Sequence, residues 1–340
     1  LDPSGEQKAN CNTIRTDPAA LFRRIQPILP APMPVLDLIR LVRPAQWSKG
    51  IFLLIGPAYG LADKHWDLAT GWLSLVLALV VFSLASSACY IVNDLLDAPA
   101  DRKHPRKMHR PIASGRVSPV LAIALAGTLL ALCGVCLFFM PAKQGLWTLA
   151  GVAVYVANVT AYSALLKHIV IADVVSLSLG FVLRVLVGCA AVGVSPTTWL
   201  LNTTFFLAMF LAFGKRLGER RLLGGEGAAL ARGVQAGYTD ELLRLAVVVT
   251  AVVSLVTYAG YVQNQQDKYH LGFNLLWLTI LPATYGLLRA IVLLERGTYD
   301  DPTILASRDR PFQFAGVLFA ALTLVLMWAR HHAWVGPAIA

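Results

Sequence analysis

The sequence predicts an all-α polytopic membrane protein, with about nine transmembrane helices in one bundle. Three observations predict it. Of 340 residues, 57% are hydrophobic and only 14% charged, where a soluble domain carries about 25% charged residues. The apolar residues come in runs of about 20, the length of a membrane helix, and not in the dyad alternation of a membrane barrel. Lysine and arginine concentrate in every second connection, the bias that orients helices across a bilayer.

Hydropathy places the spans at 50–63, 71–92, 117–140, 145–165, 169–194, 198–214, 243–262, 271–294 and 312–332. The first is short. VLDLIRLVRPAQWSK before it is amphipathic and suited to lie in the interface. Pro44 divides the two helical pieces, and Trp47 and Lys49 serve as interfacial anchors. Residues 1–34 are polar and punctuated by Pro3, Pro18, Pro27, Pro30, Pro32 and Pro34, which predicts a poorly ordered tail ahead of a transmembrane domain over 35–335. Loops are expected near 93–116, 215–242 and 295–311. Pro99 predicts that the second span is distorted or ends there. Gly224, Gly225 and Gly227 predict a loop after the sixth.

The connection after the second span holds Arg102, Lys103, Arg106, Lys107, Arg110 and Arg116. The one after the sixth holds Lys215, Arg216, Arg220, Arg221 and Arg232, and the one after the eighth holds Arg296, Arg308 and Arg310. The alternate connections carry Lys64, Lys143 and Lys268. This asymmetry places the amino terminus and the basic loops in the cytoplasm of a bacterial inner membrane, and an odd number of spans puts the carboxyl terminus outside. The net charge of +10 follows from the same bias. The basic residues form no stripe interleaved with aromatics, which excludes nucleic acid as a partner. Of five cysteines, Cys133 and Cys136 have CxxC spacing. They lie inside an apolar run without a second pair or a nearby histidine, so they read as packing residues rather than zinc ligands.

Chemistry concentrates at one place. IVNDLLDAPADRKHPRKMHRPIASG (91–115) sets Asn93, Asp97 and Asp101 four residues apart, so they drift only about 40° per step around a helix and share a face. Asp94 sits beside them. Hard oxygen donors at a helix end suit Mg²⁺, which shares its shell with substrate phosphates, and not zinc or copper. The basic residues that follow, Lys107 and Arg110 among them, suit phosphate oxygens. Acids that present a metal with bases close behind describe a diphosphate site. Further along, Asp173 and Arg184 are eleven residues apart and return to nearly one helix face, off by about 20°, which predicts a polar cavity inside the bundle.

NDLLDAPAD carries the NDxxDxxxD signature, and with the nine-helix count it resembles the UbiA-type intramembrane prenyltransferase superfamily. The resemblance covers nearly all of residues 40 to 332. Within that superfamily the chain is similar to the decaprenyl-phosphate phosphoribosyltransferase branch. The segments that carry this are RPAQWSKG (43–50), NDLLDAPADRKHPRKMHRPIASG (93–115), YSALLKHIVIADV (162–174) with GFVLRVLVG (180–188), GKRLGERRLL (214–223) and ILASRDRPFQ (304–313). Many prenyl-transferring members carry a second element of the form DxxxD. Here Asp173 is followed by Leu177 in place of the second acid.

The resemblance implies a Mg²⁺-dependent glycosyl transfer, with Mn²⁺ as the alternative cation. 5-Phosphoribosyl 1-diphosphate is the donor and a polyprenyl phosphate the acceptor. Asn93, Asp94, Asp97 and Asp101 are the expected metal ligands, and Asp97, Asp101, Asp173 and Arg184 the expected catalytic residues. Lys49, Lys107, Arg110, Tyr162, Lys167, Lys215 and Arg216 are the expected substrate contacts. A homo-oligomer stays open. So do two rival activities: a conventional prenyltransferase acting on an aromatic or small acceptor, and a transporter of a phosphorylated solute.

Overall fold

Hydrocarbon offers backbone N–H and C=O groups no partner except one another, and this chain satisfies them with helices. A computed structural model describes residues 34–102, 107–297, 308–332 and 334–335. Among the described residues the regular structure is helical, with one isolated β-bridge between His270 and Asn274. The polar tail, residues 103–106 of the basic connection, and the first four residues of ILASRDRPFQ (304–307) lie outside the described residues.

An interfacial helix α1 (Pro34–Val42) leads through a 3₁₀ segment (Pro44–Gly50) into α2 (Ile51–Ala62). Then follow α3 (Leu68–Asp101), α4 (Pro119–Phe138), α5 (Ala142–Ala164), α6 (Ala172–Val192), α7 (Thr198–Ala231), α8 (Asp240–Asn264), α9 (Ile280–Glu295) and α10 (Arg310–His331). Short polar residues start many of them. Asp67, Ser118, Thr197, Thr239 and Asp309 each accept a hydrogen bond from a backbone N–H of the first turn, which satisfies donors that a helix start otherwise leaves open. A hydrogen bond from Arg289 holds the Asp309 carboxyl below its usual range.

Eight helices among the described residues are long and apolar enough to cross a membrane. The ninth expected crossing is the composite Pro44–Ala62. Its start is tied to one end of the bundle by the ion pair of Arg43 with Asp94. Its far end is tied to the other by Asp63, which pairs with Lys268 and Arg330. Seven 3₁₀ residues and twelve α residues together rise roughly 30 Å, about the thickness of the hydrocarbon core.

α3 ends within two residues of Pro99, as expected there, while α7 runs past its expected end. α3 continues through Pro99 to Asp101. Proline removes only one hydrogen bond there, one turn from the end, and Ala98 and Asp101 on either side are buried. α7 continues to Ala231, and only Gly224 leaves helical geometry, at φ 71° and ψ 167°. The expected glycine loop is therefore a kink between two helical pieces, at a backbone conformation that glycine adopts cheaply.

Helix α6 is the hub, packed against α2, α3, α5 and α7. Small residues let it approach α2. A Cβ on Gly188 would lie 1.9 Å from the Leu53 carbonyl oxygen, and one on Gly56 would lie 2.1 Å from the Cys189 sulfur. Close backbone approach of this kind is how helices associate where lipid removes the hydrophobic drive. Cys133 is buried with its thiol 3.4 Å from the Val81 carbonyl, and it and Cys136 are free thiols, as expected of packing residues. Gly188→Ala is expected to lower unfolding stability by at least about 1–3 kcal/mol, the usual cost of overpacking. Thermal unfolding of the purified protein in detergent checks this, and an unchanged midpoint would contradict the packing described.

Candidate active site

The motif at the end of α3 does not stand as one acidic rung. Asp94 and Asp101, both 3% exposed, face arginines. One guanidinium nitrogen of Arg43 lies 2.6 and 2.8 Å from the two Asp94 oxygens. Arg110 reaches Asp94 at 3.1 Å and Asp101 at 2.7 Å. The four groups form an alternating chain, and the Arg43 guanidinium also lies 4.8 Å from the Tyr90 ring centre. Asn93 and Asp97 form a separate pair. Asn93 Nδ2 donates to Asp97 Oδ2 at 3.0 Å, and Lys167 Nζ donates to Asp97 Oδ1 at 3.1 Å. The Asp97 side chain is 31% exposed.

The four expected metal oxygens thus fall into two groups. Among the described residues no group of three or more His, Cys, Asp or Glu side chains gathers as a metal cage. Asp94 and Asp101 spend their oxygens on arginine, because a buried carboxylate without a counter-charge is too costly. Asn93 and Asp97 keep hard oxygens at a partly exposed position. Two such donors fit Mg²⁺, which relies on one or two carboxylates plus substrate phosphates and retains several waters.

Arg43 was not singled out by the motif. Its backbone is left-handed, at φ 53° and ψ 59°. A non-glycine residue so held costs of order 1–3 kcal/mol and persists where its surroundings fix it. Here they do. Ser87 Oγ donates to the Val42 carbonyl at 2.7 Å and accepts from Trp47 Nε1 at 3.0 Å, and Arg116 pairs with Asp37 at 2.9 Å. These bonds tie α1 and the 3₁₀ segment to α3 and to the basic connection, with Arg43 between them facing Asp94.

A cavity of about 160 Å³ opens between α3, α5 and α6. Lys49, Asn93, Tyr162 and Arg184 line it, as does Arg43. Leu177, at the position of the missing second acid, lines it too. Deeper in, Arg184 is 6% exposed. It donates to the Gly180 carbonyl at 2.7 Å and to the Tyr155 hydroxyl at 3.2 Å, and its guanidinium lies 4.9 Å from the Phe82 ring centre and 5.3 Å from that of Phe181. Ser86 meets the Tyr155 hydroxyl at 3.1 Å. Tyr155, Ser86 and Asn158 are cavity residues that the sequence did not reveal, because nothing in a polar residue on an apolar helix says which neighbour it meets.

Asp173 and Arg184 do not share a site. Eleven residues of helix separate them by about 16 Å, so one face does not mean one contact. Asp173 is fully buried and pairs with Arg216 through Nη2 at 3.0 Å and Nε at 3.2 Å. Arg216 is 1% exposed, so it serves this pair and not the cavity. Tyr238 donates to the other Asp173 oxygen at 2.6 Å and accepts from Ile171 N at 2.8 Å. Burial, reinforced by the hydrogen bond to Asp173, pushes the Tyr238 hydroxyl pKa up and keeps it a donor. Ile171 is at φ 71°, an uncommon state for a β-branched residue. The Asp173–Tyr238–Arg216 knot holds that turn, and the turn presents Lys167 to Asp97. Lys107 and Lys215 do not line the cavity. Lys107 opens a 3₁₀ turn beside Arg110, and Lys215 precedes Arg216 on α7.

The helices are long and apolar enough to cross a membrane, and a charged cavity lies at the end where the basic connections gather, which defines an integral membrane protein with a polar internal site. The UbiA prenyltransferase family matches residues 51–306, and the chain belongs to that family. It is a transferase and an integral membrane protein. It is 32% identical over 294 residues to the decaprenyl-phosphate phosphoribosyltransferase of Mycolicibacterium smegmatis, covering 84% of this chain and 90% of the relative. It is also 32% identical over 276 residues to the decaprenyl-phosphate phosphoribosyltransferase of Corynebacterium glutamicum, covering 81% and 82%. Its fold is similar to that of a UbiA homolog from Archaeoglobus fulgidus solved with GPP and Mg²⁺. The TM-score is 0.62 at 19% identity, over 87% of this chain and 99% of that one.

Breaking the buried pair tests its structural role. Asp173→Asn or Arg216→Met should each destabilise the protein by about 3–5 kcal/mol, because the surviving charge is stranded. Chemical unfolding in detergent measures this. A change below about 1 kcal/mol in both variants would show that the pair does not hold the turn.

Proposed function

We propose that the protein transfers 5-phosphoribose from 5-phosphoribosyl 1-diphosphate to a polyprenyl phosphate of the decaprenyl type and releases diphosphate. The observation that carries this reading is a cluster next to the cavity: Asn93, which lines it, bonds Asp97 one helical turn on, and Lys167 supplies a cation at 3.1 Å from Asp97. The two phosphoribosyltransferase relatives support the choice of donor. So does Leu177 in the cavity wall, since it leaves no second acidic rung for a second metal.

Asn93 and Asp97 would hold Mg²⁺, with Mn²⁺ as the alternative, and the metal when bound would neutralise charge on the departing diphosphate. Lys167 stands beside Asp97 as a cation for phosphate, and Arg110, held between Asp94 and Asp101, is a second one at the same end of α3. Asp94 and Asp101 act as positioning residues that fix Arg43 and Arg110. Lys49 and Tyr162 in the cavity wall orient the donor. The acceptor phosphate is already ionised at neutral pH, so no strong base is required. The bundle contributes by fixing donor and acceptor in line, which removes an entropic part of the barrier. The abundance of lysine and arginine at this end supports an orientation with the site in the cytoplasm of a bacterial inner membrane.

Purified protein given 5-phosphoribosyl 1-diphosphate and decaprenyl phosphate should form the phosphoribosylated lipid, identified by mass. Given a prenyl diphosphate and an aromatic acid, it should form nothing. Asp97→Asn and Lys167→Met should each lower turnover by about 10²-fold or more, the usual loss when a transition-state charge contact is removed. Turnover of the prenyl diphosphate instead, or wild-type rates in both variants, would refute the assignment.

A further inference from the structure

Helix rise sets the depth of the cavity. Asn93 and Ser86 both line it from α3, seven residues apart and so roughly 10 Å along the helix. Tyr162 and Tyr155 line it from α5 with the same spacing. α6 runs the opposite way, from Ser176 near the mouth to Arg184 at the floor. The cavity is therefore about as deep as one phosphorylated pentose is long.

Its floor is unusual. Arg184 is nearly buried within the bundle, yet among the described residues no carboxylate pairs with it. Every other buried basic or acidic side chain in the neighbourhood has a counter-charge: Arg216 has Asp173, while Asp94 and Asp101 have Arg43 and Arg110. Arg184 is held only by a carbonyl, a hydroxyl and aromatic faces. Cation–π contacts are worth about 2 kcal/mol when desolvated, less than a buried ion pair needs to offset desolvation. Two of the five guanidinium N–H groups go to Gly180 and Tyr155, and the group lines an open cavity. A full positive charge there favours an anion. It disfavours an isoprenoid chain, which would strip the charge of water and return nothing.

We infer that Arg184, set among Phe82, Tyr155 and Phe181, binds the terminal phosphate of the donor that does not react. It makes the cavity floor the feature that selects a phosphorylated sugar over a prenyl diphosphate. The inference rests on the donor proposed above and adds its direction: diphosphate at the Asn93–Asp97 mouth, the distal monophosphate at the floor. No bond is made or broken at Arg184. It is a specificity residue.

The two ends of the donor can be probed separately with ribose 5-phosphate and inorganic diphosphate as inhibitors of the full-length protein in nanodiscs. Arg184→Met should weaken inhibition by ribose 5-phosphate by about 10-fold or more, the loss of a charge-assisted contact, and leave inhibition by diphosphate within about 2-fold. Asp97→Asn should do the reverse. Ser86→Asp gives a second test that keeps the buried charge paired, should the methionine variant fail to fold. It supplies Arg184 with a carboxylate, and it too should selectively weaken ribose 5-phosphate. The inference is overturned if either Arg184→Met or Ser86→Asp, once folded, leaves ribose 5-phosphate inhibition at the wild-type level or weakens diphosphate equally. A wild-type enzyme that turns over 5-phosphoribosyl 1-diphosphate but ignores ribose 5-phosphate overturns this inference alone. One that does not turn it over removes the proposed function, and the inference with it.

Discussion

A charged side chain inside a lipid-embedded bundle must find a counter-charge or a cavity, because hydrocarbon returns nothing for the water it displaces. That constraint organises this protein. Two chains of alternating charge meet it. Arg43, Asp94, Arg110 and Asp101 tie the entry segment and the basic connection to the end of α3. Asp173, Arg216 and Tyr238 tie α6, α7 and the turn before α6. Neither chain is in itself strong evidence of stability, since buried pairs roughly balance desolvation against attraction. What they supply is register: each fixes which helix faces which.

The candidate site is what these chains leave over. Asp97 and Asn93 stay partly exposed because the other two acids of the motif are already spent on arginine. Lys167 reaches Asp97 because the Asp173 knot holds the strained turn at Ile171. Arg184 lies deeper, within aromatic faces instead of beside an acid. Mouth and floor therefore carry different chemistry although the same three helices line both.

Much of the fold was legible in the residues. Helix number, the dividing role of Pro44 and the packing role of Cys133 follow from local rules about apolar length, proline and the surroundings of cysteine. Pro99 marked the end of α3 to within two residues, while the glycines near 224 misled. A glycine break can cost a single dihedral, with helix resuming directly beyond it. The candidate site was legible in composition but not in pairing. Asn93, Asp97, Lys167 and Arg184 were all marked by residue type and motif, while Asp173 and Arg184 were placed together because helical phase ignores axial distance. Arg43 lay in a quoted segment. Its available signal, an arginine just before a proline at the end of an amphipathic helix, does not name Asp94 as its partner.

Sequence alone settles that this chain is a helical membrane protein with an acid-rich, base-rich end, because transfer free energy and the positive-inside bias act residue by residue. Which acids of the motif face arginine and which stay partly exposed was decided in three dimensions. Charge pairing depends on distances of about 3 Å between helices far apart in the chain, and no periodicity along one helix encodes them.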